Sequence, residues 1–227
     1  MSEILAPCGA MESLTAAVNA GADAVYLGEE YFSARKNADN FTAEQLCDAV
    51  RFCHYSGVKV YVTLNTLVFD REIPLLAKAI ENCAKADVDA FIVQDMGVAR
   101  LARQIVPELP LHASTQMTVN SPEGAIMAKE LGFTRVVLGR ELSLAQIKAI
   151  TESCEIETEL FVHGALCVCI SGQCYMSSVL GGRSGNRGLC AQPCRLDFTS
   201  GDRHNILSLK DLSLTEKLPE LAKAGIT

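Results

Sequence analysis

The feature that most constrains the fold is a regular alternation of short apolar runs with amphipathic stretches. The apolar runs predict seven strands, which are Ile4–Pro7, Ala24–Gly28, Lys59–Asn65, Ala90–Asp95, Leu111–Gln116, Arg135–Gly139 and Glu157–His163. Stretches with helical spacing separate them, and these are Met11–Ala20, Ala43–Tyr55, Ile73–Ala86, Val98–Val106, Pro122–Leu131 and Leu144–Glu152. Nearly continuous apolar strands are buried on both faces, and strands separated by helices pair in parallel. Because no Gly-rich nucleotide fingerprint is present, the pattern favours an α/β fold of the TIM-type (β/α) barrel over an open sheet.

Local signals support the helix boundaries. Thr42 followed by Gln45 reads as a capping box, and Ser121-Pro122 as an N-cap with proline at the first helical position. A glycine that ends a helix recurs at Gly21, Gly57 and Gly132. The last residues, 221–227, show the same pattern of a helical stretch followed by a glycine.

If this alternation of helices and strands continues, an eighth strand should follow residue 227. We therefore expect a barrel that lacks its last strand, although Asn205–Leu209 is an alternative eighth strand. The expected organisation is a single barrel domain over 1–227, the N-terminal part of a longer protein, with a Cys-rich loop at 164–203.

The composition excludes some classes of protein. Apolar residues make up 49% of the chain, and no run of about 18 of them occurs that would span a bilayer. Residues 1–7 lack the regions of a signal peptide, so we expect a cytoplasmic protein without a membrane partner. The net charge of −7 argues against broad adhesion to nucleic acid, although it leaves room for a local basic patch such as Arg183, Arg187 and Arg195.

Five of the ten cysteines fall between Cys167 and Cys194, with the spacing C-x-C-x4-C-x15-C-x3-C. A reducing cytosol disfavours a disulfide framework, and structural zinc sites usually show paired C-x2-C knuckles, which are absent here. An iron–sulfur cluster needs about four thiolates and tolerates irregular spacing. The spacing alone prefers iron–sulfur over zinc only slightly. Cys47, Cys53 and Cys83 lie in helical patterns and are interpreted as packing residues.

Polar residues collect at the predicted strand ends, where barrels carry their chemistry. Candidate substrate-binding residues are Arg35, Asn65, His112, Gln116 and Arg140, and candidate catalytic residues are His163, Arg140 and Glu141. Arg35, in a long loop after the second strand, could hold an anionic group through its guanidinium. Each of these residues also fits a plainer role as a helix cap or a solvated loop residue.

Several stretches resemble one known family. The segment Glu159–Cys167 followed by Gly172–Ser177 is similar to the signature of peptidase family U-32, the collagenase-like proteins. The resemblance extends over essentially the whole chain, through Leu5–Pro7 with Gly9, Ala24–Gly28, Phe32–Arg35 with Asn40 and Phe41, His112–Gln116, Leu138–Leu142, and Asn186–Gly188 with Cys190 and Cys194.

The resemblance implies an activity, a cofactor and a set of ligand residues that the sequence pattern alone does not. Although the inherited label is peptidase, better-understood members look like iron–sulfur proteins that hydroxylate a pyrimidine in tRNA or rRNA, with a small anionic co-substrate such as prephenate, or that act in ubiquinone synthesis. Carried over by position, Cys167, Cys174 and Cys190 would be ligands of a cluster, expected to be 4Fe–4S. Cys194 is the natural fourth ligand, with Cys169 as the alternative. In many relatives a basic strand continues the chain beyond its last helix.

Three functions follow as expectations. An iron–sulfur-dependent RNA hydroxylase accounts for the clustered thiols. A peptidase could pair Cys167 with His163, but H-E-x-x-H and G-x-S-x-G motifs are absent and the other thiols would be superfluous. A non-catalytic cluster-binding subunit would not need the polar residues at the strand ends.

Overall fold

The computed structural model describes residues 2–34 and 39–227. Seven strands follow one another in chain order across one sheet, and they are β1 (Leu5–Pro7), β2 (Ala24–Gly28), β3 (Lys59–Leu64), β4 (Ala90–Val93), β5 (Leu111–Ala113), β6 (Arg135–Val137) and β7 (Glu157–Glu159). Helices follow the first six, and they are α1 (Met11–Asn19), α2 (Ala43–Tyr55), α3 (Ile73–Lys85), α4 (Met96–Ile105), α5 (Pro122–Glu130) and α6 (Leu144–Ser153). This is the element order of a (β/α) barrel through its seventh strand, so the predicted fold class is confirmed.

The predicted capping residues form the bonds expected of them. Thr42 Oγ1 accepts from the Gln45 amide at 3.2 Å, and Gln45 Oε1 accepts from the Thr42 amide at 3.0 Å. Ser121 Oγ accepts from the Gly124 amide at 3.1 Å. The helix-ending glycines, Gly225 included, all have positive φ, between 72° at Gly57 and 92° at Gly225. These positions need glycine because an L side chain is strained there.

The chain forms two compact units, and the first covers residues 2–112. Within it β1, β2, β3 and β4 pair in parallel, with Ala24 opposite Lys59 and Tyr61 opposite Ala90. Its central cluster is formed by Ala24, Tyr61, Ala90 and Ile92, with Leu5 and Tyr26 packed against it. Burial of these apolar side chains contributes to the stability of this unit.

The second unit covers residues 113–227. Strands β6 and β7 pair in parallel, and Arg135, only 5% exposed, is fixed between two acidic residues. Its guanidinium lies 2.7 Å from Glu157 and 3.6 Å from Glu159. This unit also contains α7 (Met176–Gly181), α8 (Leu218–Lys223) and an antiparallel pair of short strands, β8 (His163–Gly164) and β9 (Leu212–Ser213).

The structure differs from the sequence-based boundaries mainly at two strands. Strand β5 ends at Ala113 because the Ser114 side chain caps a 3-10 turn over Thr115–Met117, where a longer strand was predicted. Strand β7 ends at Glu159, and His163 belongs to β8 instead. Asn205–Leu209, the alternative eighth strand, is not in a strand. Within residues 2–34 and 39–227, no helix has the length and apolar character needed to cross a membrane.

Candidate functional site

The five clustered cysteines lie in a segment that is flanked by two paired strands. We call residues 164–203 the cysteine segment. Strand β8 enters it, and β9, which follows it, runs antiparallel to β8 with His163 opposite Ser213. The Leu214 amide donates to the Val162 carbonyl at 2.8 Å, which closes the base of this ribbon. The chain therefore leaves and returns at one place.

Side-chain to backbone hydrogen bonds organise the inside of the segment. Asn186, which is buried, donates from Nδ2 to the Gly172 carbonyl at 3.0 Å. The Ala191 amide donates to the buried Ser177 hydroxyl at 3.0 Å. These bonds join the two halves of the segment, one carrying Cys167, Cys169 and Cys174 and the other carrying Cys190 and Cys194.

Four of the five thiols interact electrostatically. Burial raises the pKa of Cys167, the Arg140 guanidinium opposes this, and the thiols of Cys194, Cys174 and Cys190 raise it further. The net pKa of Cys167 lies above its ordinary value. Cys169 behaves differently, since its thiol donates to the Gln173 carbonyl at 3.6 Å. Cys174, Cys190 and Cys194 are thus the thiols that affect the charge of Cys167.

Arg140, directly after the end of β6, contacts the start of the cysteine segment. Its Nη1 donates to the Ala165 carbonyl at 2.7 Å, and its Nη2 lies 4.0 Å from Cys167 Sγ. The guanidinium also sits over the Phe161 ring, 5.2 Å from the ring centre. A cation held at this point favours negative charge on the neighbouring sulfur.

Glu141, the next residue, binds the segment further along. Its Oε1 accepts from the Ser171 amide at 3.0 Å and from Asn120 Nδ2 at 3.2 Å, and its Oε2 accepts from the Ser171 hydroxyl at 2.9 Å. Burial acts to raise the pKa of Glu141, but these hydrogen bonds outweigh it and lower the pKa. The carboxylate is therefore held in its charged form.

Gly172 packs tightly against the backbone of Gln116 and the side chain of Thr118. Its φ is +80°, and a Cβ there would lie 2.5 Å from the Gln116 carbonyl oxygen and 2.8 Å from Thr118 Oγ1. Thr118 Oγ1 in turn donates to the Ser171 carbonyl at 2.9 Å and accepts from Gln173 Nε2 at 2.9 Å. Only glycine fits this contact.

The three arginines proposed as a basic patch differ in their surroundings. Arg195 is engaged: it donates to the Ser208 hydroxyl at 2.9 Å and the Leu166 carbonyl at 3.3 Å, it binds the Leu209 carbonyl, and it lies 3.5 Å from Asp211. This places its guanidinium within the fold of the second unit. Arg183 is exposed and Arg187 half-buried.

The remaining predicted site residues are Asn65, His112, His163 and Arg35. Asn65 accepts at Oδ1 from the Ala34 amide at 2.9 Å, and His112 is buried edge-on against Tyr61, with ring centres 4.8 Å apart. His163 is exposed on β8. Arg35 lies outside the described residues. Sequence reasoning missed Ser171 and Asn120, which bind Glu141, because hydroxyls and amides that bind a distant carboxylate carry no local pattern.

No ready-made metal cage is present among the residues the structure describes. In that part of the chain, no three His, Cys, Asp or Glu side chains form a group that could hold a metal ion as they stand. The four interacting thiols are nevertheless the donor set that both iron–sulfur clusters and zinc take. Holding either one requires these side chains to turn toward one centre.

Comparison with solved structures supports the class of fold, that of β/α barrel proteins. A solved structure, the U32 peptidase Mk0906, matches with a TM-score of 0.63 over 73% of this chain and 70% of its own, at 18% identity. At that identity the likeness concerns the fold alone.

Comparison of sequences defines the family. Peptidase family U32 matches residues 9–227, and the chain belongs to this family. It is 42% identical over 99% of its length to the 23S rRNA 5-hydroxycytidine C2501 synthase of Escherichia coli, covering 35% of that protein. It is 37% identical over 99% of its length to tRNA hydroxylation protein P1 of Bacillus subtilis, covering 56%. The chain thus spans between a third and just over half of these relatives.

Proposed function

We propose that this chain is the cluster-binding part of an iron–sulfur enzyme that hydroxylates a pyrimidine in tRNA or rRNA. The observation that carries the proposal is the mutual interaction of Cys167 with Cys174, Cys190 and Cys194 beside Arg140. The thiols that interact with Cys167 are more than a single nucleophile needs, and the four cysteines together match the ligand number of a 4Fe–4S cluster.

Cys167, Cys174, Cys190 and Cys194 would hold the cluster. Cys169 is the alternative fourth ligand, but its bond to Gln173 occupies its thiol. When bound, the cluster supplies one-electron chemistry to the site. Arg140 places a positive charge next to Cys167 and so offsets the negative charge that four thiolates bring.

The names of the relatives support RNA as the substrate. Both are named for hydroxylation of RNA or of a cytidine within it, and this chain matches each of them over 99% of its length. We further propose a cytoplasmic location, where tRNA and ribosomes occur, and a small anionic co-substrate such as prephenate.

The first test is the metal. Protein purified without oxygen is expected to absorb in the visible range and to contain iron and acid-labile sulfide. Cys174→Ala should lose both, whereas Cys154→Ala, a half-buried cysteine outside the segment, should keep them. Colourless protein with stoichiometric zinc would overturn the iron–sulfur assignment and leave zinc as the metal.

The second test is the substrate. Nucleosides from tRNA and rRNA of a deletion strain should lack a hydroxylated pyrimidine, and the intact gene should restore it while the Cys174→Ala gene does not. Unchanged RNA modification in the deletion strain would count against the hydroxylase.

The family description keeps a peptidase as the second candidate, with Cys167 as nucleophile and His163 four residues before it. That function requires protein cleavage that Cys167→Ala abolishes and that Cys190→Ala and iron removal leave unchanged. Loss of cleavage in both variants, or no cleavage at all, would exclude it.

A further inference from the structure

We propose that Arg140 and Glu141 are positioning residues that together bracket residues 165–171 and thereby fix Cys167 for metal binding. We call this pair the bracket. The inference rests on the proposed metal-binding function of the cysteine segment. It assigns a structural task to two residues whose types would also suit an acid and a base.

The bracket holds the segment at two separate points. Arg140 binds the Ala165 carbonyl at 2.7 Å, and Glu141 binds both the amide and the hydroxyl of Ser171. The chain between these points contains two of the five clustered cysteines. Because the two bracket residues are adjacent, the ends of this stretch are held from one position in the second unit.

Both carboxylate oxygens of Glu141 are occupied. Oε1 accepts two hydrogen bonds and Oε2 accepts one, all from Ser171 and Asn120. A general acid or base works best with a pKa near the operating pH, whereas the pKa of Glu141 is lowered. The contacts of Glu141 are those of a residue that holds a loop.

Gly139 and Asn120, which lie next to the bracket, help to hold the side chain of Glu141 in place. A Cβ on Gly139 would lie 2.5 Å from Asn120 Oδ1 and 2.9 Å from Glu141 Oε1. The Gly139 amide donates to that same Asn120 oxygen at 3.2 Å. Asn120 thus fixes the backbone before the bracket and the side chain within it, which gives Glu141 one orientation.

The charge of Glu141 can be separated from its shape by two substitutions. Glu141→Gln keeps an acceptor for the Ser171 amide and an amide group that can donate to the Ser171 hydroxyl, whereas Glu141→Ala removes both contacts. For a positioning residue, Glu141→Gln should retain iron and RNA hydroxylation near the wild-type level. Glu141→Ala should lose iron to a chelator about tenfold faster, in line with the effect of residues that orient metal ligands.

A second readout does not depend on the metal. In the metal-free chain, Glu141→Ala and Ser171→Ala should speed amide hydrogen exchange at residues 165–173 and alkylation of Cys167, with little change at Cys154. Arg140→Met should do the same near Ala165, and Arg140→Lys should restore part of the protection. Glu155→Ala, at a fully exposed glutamate, is the matched control.

Two results would overturn the bracket. One is a Glu141→Gln protein that keeps its metal and its exchange pattern but loses RNA hydroxylation, since the charge itself would then be required. The other is a Glu141→Ala protein with wild-type exchange and alkylation. Wild-type protein without metal would instead refute the proposed function, and the exchange and alkylation readouts would still decide whether Arg140 and Glu141 hold the segment.

Discussion

At the scale of single residues, Glu29 is a buried carboxyl group in the first unit. It follows β2, is only 6% exposed, and its Oε1 has no hydrogen-bond partner among the residues that the structure describes. Burial raises its pKa to about 7, although a hydrogen bond from Cys83 on α3 opposes the shift and nearby Glu30 adds to it. Cys83 itself is fully buried, and burial together with Glu29 raises the pKa of its thiol. The pair is neutral in the folded protein at mildly acidic pH.

This leads to a pH-dependent stability. A carboxyl whose pKa is higher in the folded than in the unfolded state binds more protons when folded, so the free energy of unfolding falls as pH rises. Here the fall should occur between about pH 4.5 and 7, the unfolded and folded pKa values. Glu29→Gln is expected to remove that fall and to stabilise the protein above pH 7 by at most about 3 kcal/mol.

Urea unfolding measured at several pH values provides the check. Glu81→Gln, an exposed position on the same helix as Cys83, is the matched control and should leave the pH dependence unchanged. If Glu29→Gln follows the wild-type curve across this window, the raised pKa is wrong.

The residue scale also shows what the sequence could and could not predict about the site. Cys167, Cys174 and Cys190 stood out by spacing and resemblance, and Arg140 and Glu141 by their place after a strand. Which atoms they would touch was not predictable, since Ser171 and Asn120 are distant from Glu141 in sequence. Such hydrogen bonds depend on the fold and produce no periodic pattern in the sequence.

At the scale of elements, the helices and strands of the barrel followed from periodicity and capping. Helix α2 and strand β2 match their predicted bounds, because their apolar spacing and end signals agree. Strand β5 was predicted too long, since Ser114 caps a turn within the stretch that was interpreted as a strand. Helix α7 and the β8–β9 pair were missed because residues 163–213 are held by side chains and glycine turns.

Gly172 allows a test at this scale. Gly172→Ala should detach the cysteine segment from Gln116 and Thr118, because a methyl group cannot fit at 2.5 Å from a backbone oxygen and positive φ costs an L residue roughly 1–2 kcal/mol. Iron content and thermal unfolding of the purified chain measure the loss.

The matched control is another glycine of the segment. Gly181, at the end of α7, has open space where a Cβ would lie, so Gly181→Ala should keep both iron and stability. Equal behaviour of the two variants would show that the approach of Gly172 to Gln116 does not position the segment.

At the scale of the whole molecule, the proposed metal binding should affect the two units unequally. The thiols do not form a ready cage in the described part of the chain, so binding must order the side chains around a centre, and the free energy of binding then adds to the stability of that region. Removal of iron by a chelator is expected to increase hydrogen exchange at residues 165–211. Strands β2, β3 and β4 should keep their protection.

Hydrogen exchange followed by mass spectrometry, before and after chelation, measures this directly. A uniform loss of protection over both units would contradict the expectation, because the metal would then support the entire chain. Cys174→Ala protein, treated in the same way, should show no further change upon chelation.

The paired entrance and exit of the cysteine segment have a consequence for how such proteins can diversify. Because His163 lies opposite Ser213, the two ends of the stretch 163–213, which contains the cysteine segment, are about one strand spacing apart, roughly 5 Å. An insert with adjoining ends can be lengthened or shortened without moving the residues on either side of it. Residues 163–213 can therefore change in length while the strands of the barrel stay in place.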